Sequence, residues 1–262
     1  MKIRVGVIGC LGRMGKKILS ELTTNTKVEI AGAVARADSK YVGLDIGPII
    51  GHSFNLGIKV TSSISDVFKS SDVVIDFTTK ECMLDCLKAA VKFKKPLVSG
   101  TTGIESIDLK KYAAEVPILW SVNMSVGVNV LLKLVKKAAE LLGSEYDAEI
   151  WEMHHSFKKD SPSGTAIELG KAIASASKRD FQQYCHSYLK IREKGEIGFA
   201  VSRGGGVIGD HSVMFVNSDE RIELNHKAIN RTTFAKGAVQ AAIWLHENKR
   251  GTPRLYSMQD VI

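Results

Sequence analysis

Four cysteines are all that the 262 residues contain, and none stands in a CxxC pair or at a Cys/His spacing suited to a metal. Cys82 and Cys86 lie one helical turn apart, which is a packing spacing. With Cys10 and Cys185 they suit a reducing compartment, so the chain is expected to be cytoplasmic. No apolar run approaches bilayer-spanning length, and the apolar core of MKIRVGVIGC is too short for a signal peptide. A membrane partner is therefore not expected. Nor is there a long basic run with interleaved aromatics, which sets nucleic acid aside. The net charge of +8, from 36 Lys and Arg against 28 Asp and Glu, then points to small anions such as acidic metabolites or phosphates. Internal repeats, low-complexity tracts and flexible linkers are also missing. A hydrophobic content of 44% is enough for a substantial core in one large or two modest domains.

What is present begins with alternation. Ile3 to Ile8 is an apolar run ending in glycine, Arg13 to Leu22 has helical spacing, and Val28 to Val34 reads as a second strand. Strands at Val73 to Phe77, Pro96 to Ser99 and Ile118 to Trp120 are separated by helices at Cys82 to Phe93 and Ser106 to Ala114. This predicts an α/β fold with a parallel sheet covered on both faces. After about residue 125 the pattern changes to a long helix, Gly127 to Leu142, the strand-like AEIWEMHH, and a helix from Ser163. Strands around Gly198 to Arg203, Ser212 to Asn217 and Arg221 to Ala228 then follow with short turns, as in an antiparallel or mixed sheet. A last helix, Thr233 to Leu245, is expected to return to the first domain.

In VGVIGCLGRMG the spacing of Gly9, Gly12 and Gly15 is GxxGxxG, placed between a strand and a helix. Glycines there permit a tight turn and bring a phosphate close to backbone N–H groups at a helix N-terminus, whose dipole favours anions. Placement in a strand, helix, strand unit favours nucleotide binding over a plain packing turn. At the end of the second strand, GAVARADSK has Ala35 where a carboxylate would hold a free ribose 2′-hydroxyl, and Arg36 follows it. That favours NADPH over NADH, with Arg13, Arg36 and Lys40 near the 2′-phosphate; a solvated surface charge is the plainer reading of Arg36. SGTTG at 99–103 and Asp76-Phe77-Thr78 sit at the carboxyl edge of the sheet, where ligands bind, but ordinary turn chemistry explains both equally well.

The stretch EMHHSFKKDSPSGTA, residues 152–166, concentrates polar chemistry. Adjacent His154 and His155 on a strand point to opposite faces, which argues against shared metal ligation. Lys158 and Lys159 supply cations, and Ser163, Gly164 and Thr165 open a helix whose N–H groups and hydroxyls suit a carboxylate. Ser163 lacks the GxSxG elbow of a hydrolase. Proton transfer fits better, since histidine titrates near neutrality and lysine can donate a proton or hold negative charge. Lys159 and Asp160 read as surface charge and turn.

The pattern Glu152-x-His154-His155-x-x-Lys158-x-Asp160-x-Pro162-Ser163-Gly164-Thr165-Ala166 resembles the signature of the 4-hydroxy-tetrahydrodipicolinate reductase (dihydrodipicolinate reductase) family. VGVIGCLGRMG, IDFT at 75–78, SGTTG, NMSVGVN at 123–129, GEIGFAVSRGG, HSVMF at 211–215, HKAINRTTFAKGAV and MQDVI resemble that family in order, over nearly the whole chain. The resemblance implies a Rossmann-like dinucleotide-binding domain from residues 1–125 and 231–262, with an α+β substrate-binding and tetramerisation domain at 126–230. It also implies reduction of a small cyclic dicarboxylate in lysine and diaminopimelate biosynthesis by NADPH or NADH, in a cytoplasmic homotetramer. Carried across, His154 is the proton donor or acceptor, Lys158 the second proton donor, and His155, Ser163, Gly164 and Thr165 the substrate contacts. Gly9, Cys10, Leu11, Gly12, Arg13 and Met14, then Gly100, Thr101 and Thr102, then Val122, Asn123, Met124 and Ser125 form cofactor loops, with Arg36 beside them. Ala35 departs from the family's acidic residue, which weighs against strong NADH use. Reduction of another small acid by an NADPH-dependent dehydrogenase, and non-catalytic nucleotide sensing, stand as alternatives.

Overall fold

The computed structural model describes residues 1–176, 181, 185–186, 191–249 and 251–262, and the side chain of Cys185 lies outside the described residues. The chain divides into two compact units, Met1–Ser125 with Arg231–Ile262, and Val126–Asn230.

The first unit starts as its alternation predicts: β1 (Ile3–Ile8), α1 (Arg13–Thr24) and β2 (Val28–Val34). Next come a short helix α2 (Ile46–Ile49), β3 (Val60–Thr61), α3 (Ile64–Ser70), β4 (Val73–Asp76), α4 (Lys80–Phe93), β5 (Leu97–Ser99), α5 (Leu109–Ala113) and β6 (Ile118–Trp120). Seven parallel strands are ordered β12-β6-β5-β4-β1-β2-β3, where β12 is Leu255–Tyr256 from the chain's far end. The near-continuous burial of β1, β4 and β5 is what a sheet covered on both faces demands. Strands wind outward from β1 in one direction and from β4 in the other. The carboxyl ends of β1 and β4 therefore form the switch point at which open α/β sheets bind ligands.

Caps set several boundaries. Thr79 Oγ1 accepts from the Cys82 N–H, so α4 begins two residues before the apolar periodicity does. Asp108 accepts from the N–H groups of Lys110 and Lys111, which starts α5 at Leu109 and makes it shorter than the predicted Ser106 to Ala114.

The second unit opens with α6 (Val126–Leu142), followed by β7 (Asp147–His154) and α7 (Gly164–Ala176). It continues with β8 (Cys185–His186), β9 (Ile197–Arg203), β10 (Asp210–Val216) and β11 (Arg221–Lys227). The sheet is mixed, in order β11-β10-β7-β9-β8, with β7 parallel to β9 and antiparallel to β10. Leu131 and Val135 of α6, Leu169 and Ile173 of α7, and Ile150, Phe199, Val213 and Phe215 of the sheet make one apolar core. Helix α8 (Thr232–Lys249) then belongs to the first unit, with β12 and a last short helix, α9 (Met258–Val261).

Candidate active site

Two groups of residues are the candidates for the chemistry, one in each unit. In the first, the turn after β1 folds back on itself: the N–H groups of Gly9 and Cys10 both donate to the Val34 carbonyl at 3.0 and 2.9 Å, and Gly12 N–H donates to Gly9 O at 3.0 Å. Gly9 has φ of +77°, a conformation that a side chain strains. A Cβ on Gly15 would overlap the Gly9 carbonyl and lie 2.7 Å from the Cys10 Cα, so only glycine lets α1 start this close to the strand. Gly12 precedes the helix with no side-chain cap, which leaves the first N–H groups of α1 to an external anion. A cleft of about 910 Å³ opens here, lined by Gly9, Leu11 and Gly12 from this turn, by Ala35 to Tyr41 after β2, and by Phe77 to Thr79 after β4. These residues fit a nucleotide: a glycine cradle, an open helix start and small hydroxyls at the switch point.

Asp76 organises the neighbouring loops from beneath. Fully buried, it accepts from Thr78 Oγ1 at 2.5 Å, Ser99 Oγ at 2.8 Å and Thr101 Oγ1 at 2.7 Å. Burial pushes its carboxyl above the usual range against these three hydroxyls. Thr101 in turn accepts from Thr78 N–H at 3.0 Å and takes the Trp120 indole N–H on its carbonyl at 2.8 Å. The sequence left IDFT and SGTTG undecided between binding and turn chemistry; the Asp76 network joins them into one support.

The residues expected at the cofactor differ in how far they open to this cleft. Cys10 is buried beneath the turn, its thiol pushed up to about 11 by burial, and the cleft lining does not include it, Arg13 or Met14. Thr101 is buried with its hydroxyl committed to Asp76, while Gly100 and Thr102 stand at the adjoining strand end. Along 122–125, Val122 is exposed and Asn123 half-buried, but Met124 and Ser125 are buried. Gly237 packs against the Met124 carbonyl, leaving no room for a Cβ, and Ser125 Oγ lies 3.4 Å from Thr233 Oγ1. Both Met124 and Ser125 are packed inside the unit. Arg36 does line the cleft; it is largely exposed and lies 3.6 Å from Asp38.

In the second unit, strand period and register assemble the site. Alternate residues of β7 are buried, so Ala148, Ile150, Glu152 and His154 share one face. The apolar core continues along this face into two polar residues. Register sets His211 of β10 opposite Glu152, and Arg203 of β9 beside His154. Glu152, fully buried, accepts from His154 Nδ1–H, from Ser163 N–H at 2.9 Å, and from both Arg203 guanidinium nitrogens at 3.0 and 3.1 Å. Burial alone would raise its carboxyl, but the hydrogen bonds from His154, Arg203 and Ser163 hold it at about 2. An ionised carboxylate only accepts, so Nδ1 of His154 carries the proton and Nε2 is the nitrogen left for chemistry. His154 Nε2 makes no hydrogen bond among the described residues, and a Cβ on Gly209 would come within 2.9 Å of it.

His211 completes the cluster. Its Nε2 is 3.1 Å from Ser163 Oγ, its ring meets that of His154 edge-on at 5.2 Å, and burial followed by the neighbouring His154 pushes it down to about 3. Ser163 is therefore not the open substrate contact that its sequence position suggested. It is buried, its N–H goes to Glu152, and its hydroxyl accepts from Ala166 N–H at 3.2 Å as the cap of α7. Gly164 and Thr165 remain at the first turn of the helix, with nothing within 4 Å of a Cβ built on Gly164. Lys158 Nζ pairs with Asp160 Oδ2 at 2.8 Å, and the Asp160 carbonyl accepts from Arg203 at 2.7 Å. Asp160 thus positions a cation as well as making a turn, while Lys159 is exposed.

Glu152, His154 and His211 have ligand atoms within 4.8 Å of one another. Arg203, bonded to both Glu152 oxygens, already supplies the positive charge that a metal would bring, so the cluster works as a hydrogen-bonded relay. Glu152, Arg203 and His211 were named in the sequence motifs but given no role. The signal for Glu152 was present, since strict alternation in AEIWEMH puts it on the face of His154.

A dinucleotide-type cleft at a Rossmann switch point, with a buried acid–imidazole pair in a second α+β unit, defines a two-domain nucleotide-dependent oxidoreductase. Family models described as the N-terminus and C-terminus of dihydrodipicolinate reductase match residues 3–124 and 127–262, and the chain belongs to that family. It is 85% identical to the 4-hydroxy-tetrahydrodipicolinate reductase of Wolbachia sp. subsp. Drosophila simulans (strain wRi), covering 100% of both chains. It is 48% identical to that of Anaplasma marginale (strain St. Maries), covering 99% of each. A dipicolinate-bound dihydrodipicolinate reductase from Paenisporosarcina sp. TG-14 shares the fold, with a TM-score of 0.76 at 21% identity over 100% of both chains. The reaction is the nicotinamide-nucleotide-dependent reduction of 4-hydroxy-tetrahydrodipicolinate in lysine and diaminopimelate biosynthesis.

Proposed function

We propose that His154, protonated on both ring nitrogens, delivers its Nε2 proton in this reduction, and that Glu152 accepts from Nδ1–H and fixes the ring orientation. The observation that carries this reading is the buried Glu152–His154 pair, neutralised by Arg203, with Nδ1 occupied and Nε2 unbonded among the described residues. A bound nicotinamide nucleotide supplies the hydride. Hydride arrival at an unsaturated substrate carbon leaves electron density that a proton must quench, and a positioned acid commonly speeds such a step by about 10²- to 10⁴-fold. Lys158, held by Asp160, stabilises that charge or shares the transfer. His155, Gly164 and Thr165 contact the carboxylates of the cyclic dicarboxylate, and Ser163 acts behind them through Glu152 and His211. The relative from Paenisporosarcina, which binds dipicolinate, supports a cyclic dicarboxylate as the ligand class.

NADPH is the preferred cofactor in this reading, with NADH the weaker one. Support comes from Ala35, which offers no carboxylate to a ribose 2′-hydroxyl, and from Arg36 and Lys40 on the cleft wall. We further place the enzyme in the cytoplasm as a homotetramer, with residues 126–230 making the subunit contacts. Among the described residues no helix is long and apolar enough to cross a membrane. Strand β11 is a sheet edge with an exposed Ile222, and Ile229 just beyond it is almost fully exposed. The test is substrate specificity. Purified protein should oxidise NADPH only when the lysine-pathway intermediate is supplied, and equal turnover of unrelated keto acids would contradict the assignment.

A further inference from the structure

The nucleotide cleft has a feature that hydride transfer does not use. Cys82, half-buried, lines the cleft wall beside Thr78, Thr79 and Glu81, within the first turn of the 14-residue helix α4. One turn on, Cys86 is fully buried, and the two sulfurs and an Asp76 oxygen lie within 4.8 Å of one another. We propose that Cys82 is a thiol–disulfide exchange site whose adduct occupies the cofactor cleft, so that small disulfides and the nucleotide exclude each other. The nucleotide half of this inference rests on the cofactor reading above; the thiol's identity does not.

Three features favour a thiolate at Cys82. The start of a helix stabilises negative charge. The Cys86 S–H donates to Cys82, and this bond brings the Cys82 thiol down to about 7 against the opposing effects of burial, Asp76 and Asp85. The third feature is access, since Cys82 lines a cleft of about 910 Å³. Cys86 has the opposite character. Its bond to Cys82 and its burial push its own thiol far up, so it acts as the proton-bearing partner and does not resolve an adduct into an intrahelical disulfide. In the step itself, Cys82 thiolate attacks one sulfur of a low-molecular-weight disulfide R–S–S–R. The R–S–S–R bond breaks, Cys82–S–S–R forms, and R–S⁻ leaves and takes a proton from water. Cys82 is oxidised to the mixed disulfide as the departing half of the reagent is reduced, and an added thiol reverses the exchange.

The experiment follows thiopyridone release from 2,2′-dithiodipyridine at pH 7. The native protein should show one thiol per chain reacting at least about tenfold faster than the others. That phase should vanish in Cys82→Ser, slow in Cys86→Ala, recover in Cys86→Ser, which restores a donor, and slow under saturating NADPH. Adduct with an unchanged circular-dichroism spectrum should lose NADPH binding, read by nucleotide fluorescence, and regain it with dithiothreitol. A fast phase that persists in Cys82→Ser, or an adduct that binds NADPH like unmodified protein, overturns the proposal. If unmodified protein fails to bind NADPH, the cofactor reading falls and mutual exclusion falls with it, while loss of the fast phase in Cys82→Ser still identifies the exchange site.

Discussion

The two functional regions are built from opposite materials. The nucleotide cleft is mostly backbone: glycines at 9, 12 and 15, an uncapped helix start, and hydroxyls ordered by one buried acid. The proposed acid site is mostly charge, with Glu152, Arg203, His154 and His211 gathered from three strands on one sheet face. Backbone binds an anion wherever the chain turns correctly. A buried charged relay works only if every partner arrives, because removing one member leaves the others desolvated and unpaired.

The largest expected effect tests that contrast at its centre. His154→Ala should lower kcat by about 10²- to 10⁴-fold and leave NADPH affinity unchanged, measured by steady-state kinetics beside a nucleotide titration. A fall in nucleotide affinity would mean that the two regions are less separate than their chemistry suggests.

Acid comes next. His211 titrates near 6.5 in an unfolded chain and at about 3 in the fold, so the unfolded state binds more protons between those values. Its contribution is complete above about pH 6.5 and is lost as pH falls toward 3, up to roughly 5 kcal/mol. Glu152 adds to the loss from about pH 4.5 downward, since its folded value is about 2. Urea unfolding across this range should show stability falling with pH, and falling less in His211→Asn. Equal pH dependence in the two proteins would remove His211 from the account.

Gly15→Ala probes the backbone region. The new Cβ overlaps the Gly9 carbonyl, and backbone cannot swing aside as a side chain could. At about 1–3 kcal/mol for such overpacking, NADPH binding should weaken roughly 10- to 100-fold. Substrate-site variants such as Lys158→Ala should spare it. Arg36→Ala should be the smallest change, since an exposed ion pair is worth about 1 kcal/mol or less. NADPH should bind roughly two- to fivefold more weakly and NADH unchanged. An intact NADPH preference would show that the end of β2 has been misread.

The same contrast explains what the sequence made legible. Glycine spacing, strand-to-helix alternation and the Ala35-Arg36 pair are local, so the first unit's sheet and the lip of its cleft could be read directly. Segments without period could not: α2 and β3 depend on Asp45, whose side chain accepts from Gly47 N–H and from Leu56 N–H eleven residues away. In the second unit His154 and Lys158 were visible as residue types. The Glu152–Arg203 pair spans 51 residues and arises only from the parallel register of β7 and β9. Ser163 shows the limit of motif reasoning. Its place at a helix start suggested an open anion contact, but Glu152 behind it claims the same N–H.

The central claim, that Glu152 acts through His154, is tested most directly by a double-mutant cycle on kcat with Glu152→Gln, His154→Ala and the combined variant. If Glu152 works only by orienting the imidazole, the combined variant should be no slower than His154→Ala alone, to within about a factor of two. Losses that multiply would show that Glu152 serves catalysis by a route independent of His154.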